Sequence, residues 1–169
     1  MRRVVAFSLI GGLLAMGPII PVKAENIISG GDYRIVDGDT VHLGRTKIRL
    51  IGIDAPEKRQ QCRTLDGQAW PCGQIATDTL VGMVDAAAGL TCIIDGKDRY
   101  QRSLGTCFAG KGLGGVNLQQ ALIRAGLAVA EYDEAYRADE RAARAERRGI
   151  WNGCFTRPKD WRRKIRDCD

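Results

Sequence analysis

Apolar and polar positions alternate in short runs through the first half of the mature chain and in helical repeats through the second. Arg34-Ile35-Val36 and Thr40-Val41-His42-Leu43, rich in β-branched and apolar residues, flank Asp37-Gly38. That is a hairpin signal in which Gly38 is expected to supply φ > 0. Gly44 marks a second turn before a strand from Lys47 to Ile53. Pro56 cannot continue a ladder and biases Ala55 to an extended conformation, so this strand ends near Asp54. A hairpin from Leu90 to Phe108 completes five expected strands.

Helical spacing predicts three helices. The first runs from Gln74 to about Ala88 and offers Ile75, Leu80, Val81 and Val84 to the core. Asn117 is expected to cap the second, with Gln120 completing a capping box and Gly126 ending it. Its stripe would be Leu118, Ala121, Leu122 and Ala125. The third spans Asp133 to Arg148, with a narrow face of Ala135, Ala138, Ala142 and Ala145 and Gly149 as its stop. Gln60 to Gly73 reads as a closed surface loop, and Lys111 to Gly115 as a flexible connection. Helices after the third and fifth strands predict an α+β fold. A small barrel of the OB type fits this order, an architecture that often binds oligonucleotides.

The chain's start changes the setting. Basic Met1-Arg2-Arg3, apolar Val4 to Val22 and a small-residue site at Val22-Lys23-Ala24 predict a secretory signal peptide over residues 1–24. An uncleaved anchor is the rival reading, which Gly11-Gly12, Pro18 and Pro21 disfavour. The expectation is therefore a periplasmic or secreted monomer, off the membrane once cleaved, with no stable protein partner. Residues 25–156 would form one domain and 157–169 a basic tail. Without Arg2, Arg3 and Lys23, the 26 basic residues fall to 23 against 20 acidic, a net charge of +3. Such a balance permits polyanion binding without demanding it. Arg157 to Arg166 holds six basic residues and one acid, either a phosphate-binding stripe or, more simply, a solvated tail.

Six cysteines in an exported chain predict disulfides. In a hairpin centred between Leu90 and Phe108, Cys92 faces Cys107 within bonding reach. Cys62 with Cys72 would close a loop before a helix, and Cys154 with Cys168 would staple the tail. Zinc is rejected, because no Cys-x-x-Cys occurs and His42 is the sole histidine. His42 reads as a surface or packing residue.

Asp37, Asp39, Asp54 and Glu57 gather on neighbouring turns with Arg49. Each acid alone is a turn former. Together, oxygen donors for a hard cation beside a guanidinium for phosphate suggest metal-assisted phosphoryl chemistry. Strand parity puts Arg49 and Asp54 on opposite faces, a conflict that a kink at Gly52 would remove.

Asp37-Gly-Asp-Thr-Val, Arg49-Leu-Ile-Gly-Ile-Asp-Ala-Pro-Glu57 and Asp98-Arg-Tyr-Gln-Arg102 resemble the signatures of the thermonuclease, or staphylococcal nuclease-like, family. The resemblance runs from about Arg34 to Trp151. It implies a five-stranded OB-fold β-barrel with three α-helices and Ca²⁺-dependent hydrolysis of DNA and RNA, preferably single-stranded, to 3′-phosphate ends. By motif, Asp39, Asp54 and the Ala55 carbonyl would hold the metal, and Glu57 would be the general base. Arg49 and Arg102 would clamp the phosphate. Arg99, Tyr100 and Tyr132 resemble secondary substrate contacts. Asp37 becomes a turn former.

Two departures bear on substrate preference. The segment between Leu43 and Arg49 is shorter than in the staphylococcal enzyme, and the cysteine-bearing loop replaces a Lys-rich one. The Pro158-x-x-Trp161-Arg162 tail looks like a mark of exported bacterial members. A non-catalytic polyanion-binding module, or an envelope accessory protein serving acidic exopolysaccharide production, are the alternative readings on the same fold.

Overall fold

In the computed structural model, which describes residues 26–131 and 134–168, the strand pattern closes into a barrel. The strands are β1 (Ile27–Gly30), β2 (Tyr33–Asp37), β3 (Thr40–Leu43), β4 (Thr46–Leu50), β5 (Ile53–Asp54), β6 (Cys62–Thr64) and β7 (Ala69–Trp70). Helix α1 (Cys72–Ala86) precedes the hairpin of β8 (Leu90–Lys97) and β9 (Ser103–Ala109). Then come α2 (Leu118–Arg124), β10 (Val129–Ala130), α3 (Arg137–Ala145), β11 (Gly153–Cys154) and α4 (Pro158–Arg162).

The main sheet has the order β1-β8-β9-β4-β3-β2, antiparallel except where β4 runs parallel to β9. Its two edges, β1 and β2, are consecutive in sequence and joined only by Gly31 and Asp32. One sharply bent strand therefore pairs at both ends of the sheet, and the five-stranded barrel of the OB type closes through it. The expected first strand was too short, because β1 adds a segment before it. The fold carries four helices among the described residues rather than three.

Gly52 breaks the expected third strand. Its φ of 81° ends β4 at Leu50 and redirects Ile53–Asp54 to pair with Val129–Ala130. Gly38 acts differently from expectation. Its φ is not positive; instead, a Cβ there would lie 2.7 Å from the Ala55 Cβ and 3.1 Å from the Ala76 Cβ. Glycine is required at this turn for close packing against α1.

The core inside the barrel and under α1 and α2 includes Val41, Ile48, Leu50, Leu80, Val84, Leu90, Leu118 and Leu122. Helix phases differ from the sequence expectation. α1 starts at Cys72 and buries Ala76, Thr77, Leu80 and Val84, leaving Ile75 exposed. α2 buries Leu118, Gln119, Leu122 and Ile123, while Ala125 faces outward. Gln119 is buried because its amide serves β9, taking the Cys107 N–H and donating to the Gly105 carbonyl. Asn117 does cap α2 through Gln120 N at 2.9 Å, but the Gln120 side chain reaches Asp139 instead of returning to the cap.

Along the expected third helix all four alanines, Ala135 before α3 and Ala138, Ala142 and Ala145 within it, are exposed, while Tyr136 at its N-cap and Glu140 and Ala143 within it are buried. Glu140 goes inward to accept the Ala130 N–H at 3.0 Å. The left-handed residue that ends α3 is Arg147, two residues before Gly149. The expected start at Asp133 lies outside the described residues, as does the 1–24 leader.

All three expected disulfides are present: Cys62–Cys72, Cys92–Cys107 and Cys154–Cys168. Cys92 and Cys107 are direct cross-strand partners with Cα atoms 4.1 Å apart. A smaller cluster of Val129, Ile150, Trp70, Trp151 and Phe155 packs around Cys62–Cys72.

Candidate active site

The carboxylates and arginines line one cleft of about 670 Å³, shared by Asp37, Asp39, Arg49, Glu57, Arg102 and Arg162. The β2–β3 turn delivers Asp39. Asp37 folds this turn by accepting the Asp39 N–H at 3.1 Å, as a turn former should. Asp39 is then buried, bonded to the Thr40 hydroxyl at 3.0 Å and to the Ala55 N–H at 3.3 Å.

The Gly52 kink resolves the parity conflict. With the chain redirected, Arg49 Nη2 lies 2.9 Å from Asp54 Oδ1 and 3.3 Å from the Ile53 carbonyl, while Nη1 is 2.5 Å from Asp39 Oδ1. Burial pushes the Asp39 carboxyl up to about 6; the Arg49 charge opposes that shift, and the Asp37 and Asp54 charges reinforce it. Burial works against the Arg49 guanidinium, but Asp39 and Asp54 outweigh it and hold it charged.

Glu57 is held by its backbone. Its N–H donates to Gln60 Oε1 at 3.1 Å, its carbonyl accepts the Gln60 N–H at 2.6 Å, and Gln60 is wholly buried. α1 presses on the same loop through Gly73, whose absent side chain leaves room for the Glu57 carbonyl. The β8–β9 loop carries the remaining expected residues. Asp98 accepts the Tyr100 and Arg102 N–H groups at 2.8 and 3.0 Å and pairs with Arg102 Nε at 2.7 Å. Arg99 and Arg102 flank the exposed Tyr100 ring, with guanidinium carbons 4.9 and 5.7 Å from its centroid. Tyr132 lies outside the described residues.

The basic C-terminal run is largely exposed from Arg162 to Asp167, yet it folds back against the cleft. Arg162 of α4 enters the cleft, its Nη1 2.8 Å from Glu57 Oε1 and 3.0 Å from Asp54 Oδ1, and its Nη2 2.9 Å from Asp54 Oδ2. Burial opposes its charge, yet the bonds to Asp54 and Glu57 raise its affinity for the proton. Sequence reasoning missed Arg162, and the only signal was Trp161-Arg162 standing inside a basic run. His42 lies on the outer face near Arg34, at 3.4 Å, with burial and the neighbouring Arg34 and Lys47 charges lowering its pKa.

Among the described residues no three acidic, histidine or cysteine side chains converge as a ready-made metal cage. The two that do converge, Asp39 and Asp54, are buried hard-oxygen donors sharing one arginine. Completed by a backbone carbonyl and water, such a set fits a hard divalent cation.

A barrel of this type, with carboxylates and arginines paired along one cleft, is a candidate site for a phosphate. The model of the family described as "Staphylococcal nuclease homologue" matches residues 47–153, and the chain belongs to that family. It is similar to the "Succinoglycan biosynthesis protein ExoI" of Rhizobium meliloti, 32% identical over 76% of this chain and 66% of that protein. An "Uncharacterized endonuclease" of Escherichia coli O157:H7 is 33% identical over 74% of this chain and 78% of its own length. The "Endonuclease YhcR" of Bacillus subtilis is 32% identical over 78% of this chain, which spans only 12% of it. The chain covers just under two thirds of the Rhizobium protein.

Proposed function

We propose that the protein is an exported, Ca²⁺-dependent nuclease that hydrolyses phosphodiester bonds of DNA and RNA, with a preference for single strands. The observation that carries this reading is Arg49, held between two buried carboxylates at 2.5 and 2.9 Å in a cleft that Glu57 and Arg102 also line. Asp39, Asp54 and the Ala55 carbonyl would hold the cation. When bound, it supplies Lewis-acid polarisation of the phosphate.

Glu57 takes a proton from the attacking water as the new O–P bond forms. The P–O5′ bond breaks, the 5′ oxygen leaves and takes a proton from solvent water, and the phosphate stays on the 3′ end. Arg49 and Arg102 stabilise the charge that builds on the equatorial oxygens, and the guanidinium fork matches two of them at once. Asp98 orders the loop that delivers Arg102. Tyr100, exposed and flanked by arginines, would meet a base, and Arg99 and Tyr132 would make further substrate contacts. Three disulfides support folding in an oxidising compartment, periplasmic or extracellular. Among the described residues no helix is long and apolar enough to cross a membrane.

The test is digestion of single-stranded DNA by refolded, oxidised protein in Ca²⁺ and in chelator, with Glu57→Gln beside wild type. Ca²⁺-dependent cleavage that Glu57→Gln suppresses is expected; cleavage indifferent to either would sink the proposal. The name of the Rhizobium relative supports a second reading, an accessory role in exopolysaccharide production. Unchanged polysaccharide in a deletion strain removes it.

A further inference from the structure

We propose that Arg162, on the C-terminal helix α4, is a third active-site arginine that positions Glu57 and Asp54. It lies beyond the region matched by the family model, which ends at residue 153. The proposal deepens the nuclease reading and rests on it for its turnover arm.

Arg162 Nη1 bridges the two carboxylates, at 2.8 Å from Glu57 Oε1 and 3.0 Å from Asp54 Oδ1, while Nη2 takes Asp54 Oδ2 at 2.9 Å. A rigid planar fork thus sets the separation of two like charges that would otherwise repel. An ordinary surface ion pair would mean little. Here one partner, Asp54, is 2% exposed, and the helix bearing Arg162 is fastened on several sides.

Buried Gln60 donates to the Thr156 carbonyl at 2.6 Å while its Oε1 holds the Glu57 N–H. One side chain therefore ties the Glu57 backbone to the segment that delivers Arg162. Arg157 and Lys159 reach Glu131 at 3.3 and 3.5 Å, Arg63 donates to the Cys168 carbonyl at 2.8 Å, and Cys154–Cys168 closes the tail. Glu57 and Arg162 are fixed in a single frame.

The contacts have two consequences of opposite sign. A carboxylate offers about four acceptor positions. On Asp54, Arg49 uses one and Arg162 two, so a divalent cation at Asp54 must compete with Arg162. Removing Arg162 frees those positions and deletes a positive charge, which tightens cation binding. It also releases Glu57, which slows turnover.

The test compares wild type, Arg162→Gln, Arg162→Lys and Arg163→Gln as full-length oxidised proteins. Arg163 is the control, 72% exposed and paired with Asp160 at 3.9 Å. Cleavage of single-stranded DNA is measured at saturating Ca²⁺, Ca²⁺ affinity by titration calorimetry, and folding by thermal unfolding. For Arg162→Gln, kcat should fall about 10–100-fold, the cost typical of losing a partner that orients a ligand. KM should change little, and free guanidinium at sub-denaturing concentration should restore part of the rate. Its Ca²⁺ affinity should rise severalfold. Arg162→Lys should be intermediate, and Arg163→Gln should match wild type.

Turnover of Arg162→Gln equal to or above wild type at saturating Ca²⁺ overturns the positioning role, and so does unchanged Ca²⁺ affinity. If wild type itself never cleaves, the nuclease reading fails, and the calorimetric comparison still decides whether Arg162 sits on Asp54.

Discussion

Gly73→Ala should disable the site while leaving the protein folded. Gly73 is the second residue of α1, and a Cβ there would fall 1.7 Å from the Glu57 carbonyl oxygen and 2.6 Å from its carbon. Carbon and oxygen approach no closer than about 3.3 Å. Helix and loop would therefore have to separate by roughly 1.5 Å, and no rotamer can relieve a clash with backbone. Forcing a methyl into a packed site costs about 1–3 kcal/mol. The 3.3 Å bond from Gly73 N to the Gln60 carbonyl is lost as well, about 1 kcal/mol. Alanine's better helix propensity returns at most ~1 kcal/mol. The net is about 2 kcal/mol, a Tm lower by roughly 4–8 °C for a domain of this size.

Activity should suffer more, because a shift of about 1 Å at a catalytic group can cost 10²-fold. The assay is kcat on single-stranded DNA beside calorimetric Tm. The control is Gly82→Ala in the same helix, where a Cβ meets nothing within 4 Å; it should be neutral or mildly stabilising. A Gly73→Ala protein with wild-type kcat and Tm would mean that close approach at Gly73 does not set the Glu57 loop.

Replacing Cys92 and Cys107 together by Ala releases a loop closed over 15 residues and should lower unfolding stability by about 3 kcal/mol, read from denaturant titration; a loss below ~1 kcal/mol would contradict it. Asn117→Ala removes the α2 cap and should cost about 1 kcal/mol, while Asn117→Gly should cost only a few tenths. For Asp98, burial raises the carboxyl's pKa, but the bonds from Arg102 and Tyr100 outweigh it and hold it below the usual 3.8. A depressed carboxyl contributes order above its unfolded value and loses it as pH falls through the lower, folded one. Amide exchange at Tyr100 and Arg102 should therefore stay protected at pH 5 and open only below about pH 4; opening between pH 5 and 6 would be inconsistent with this pairing.

Sequence alone determined what depends on near neighbours. Antiparallel pairing made Cys92 and Cys107 partners by register, Asn117 declared its cap though not the return bond expected from Gln120, and Asp37 declared its turn. The set of acids and arginines was legible because their motifs are short and continuous, and the parity conflict between Arg49 and Asp54 pointed to the kink at Gly52. Tertiary structure decided what depends on a distant partner. The buried face of a helix is chosen by what packs on it, so Ile75 and the α3 alanines are exposed while Gln119 and Glu140 go inward to satisfy backbone groups of β9 and β10. Gly38 and Gly73 are required by close approach to Ala55 and Glu57, and no local pattern records that proximity. Arg162 stands 108 residues from Asp54 in the chain, and only the folding back of a disulfide-closed tail brings their charges together.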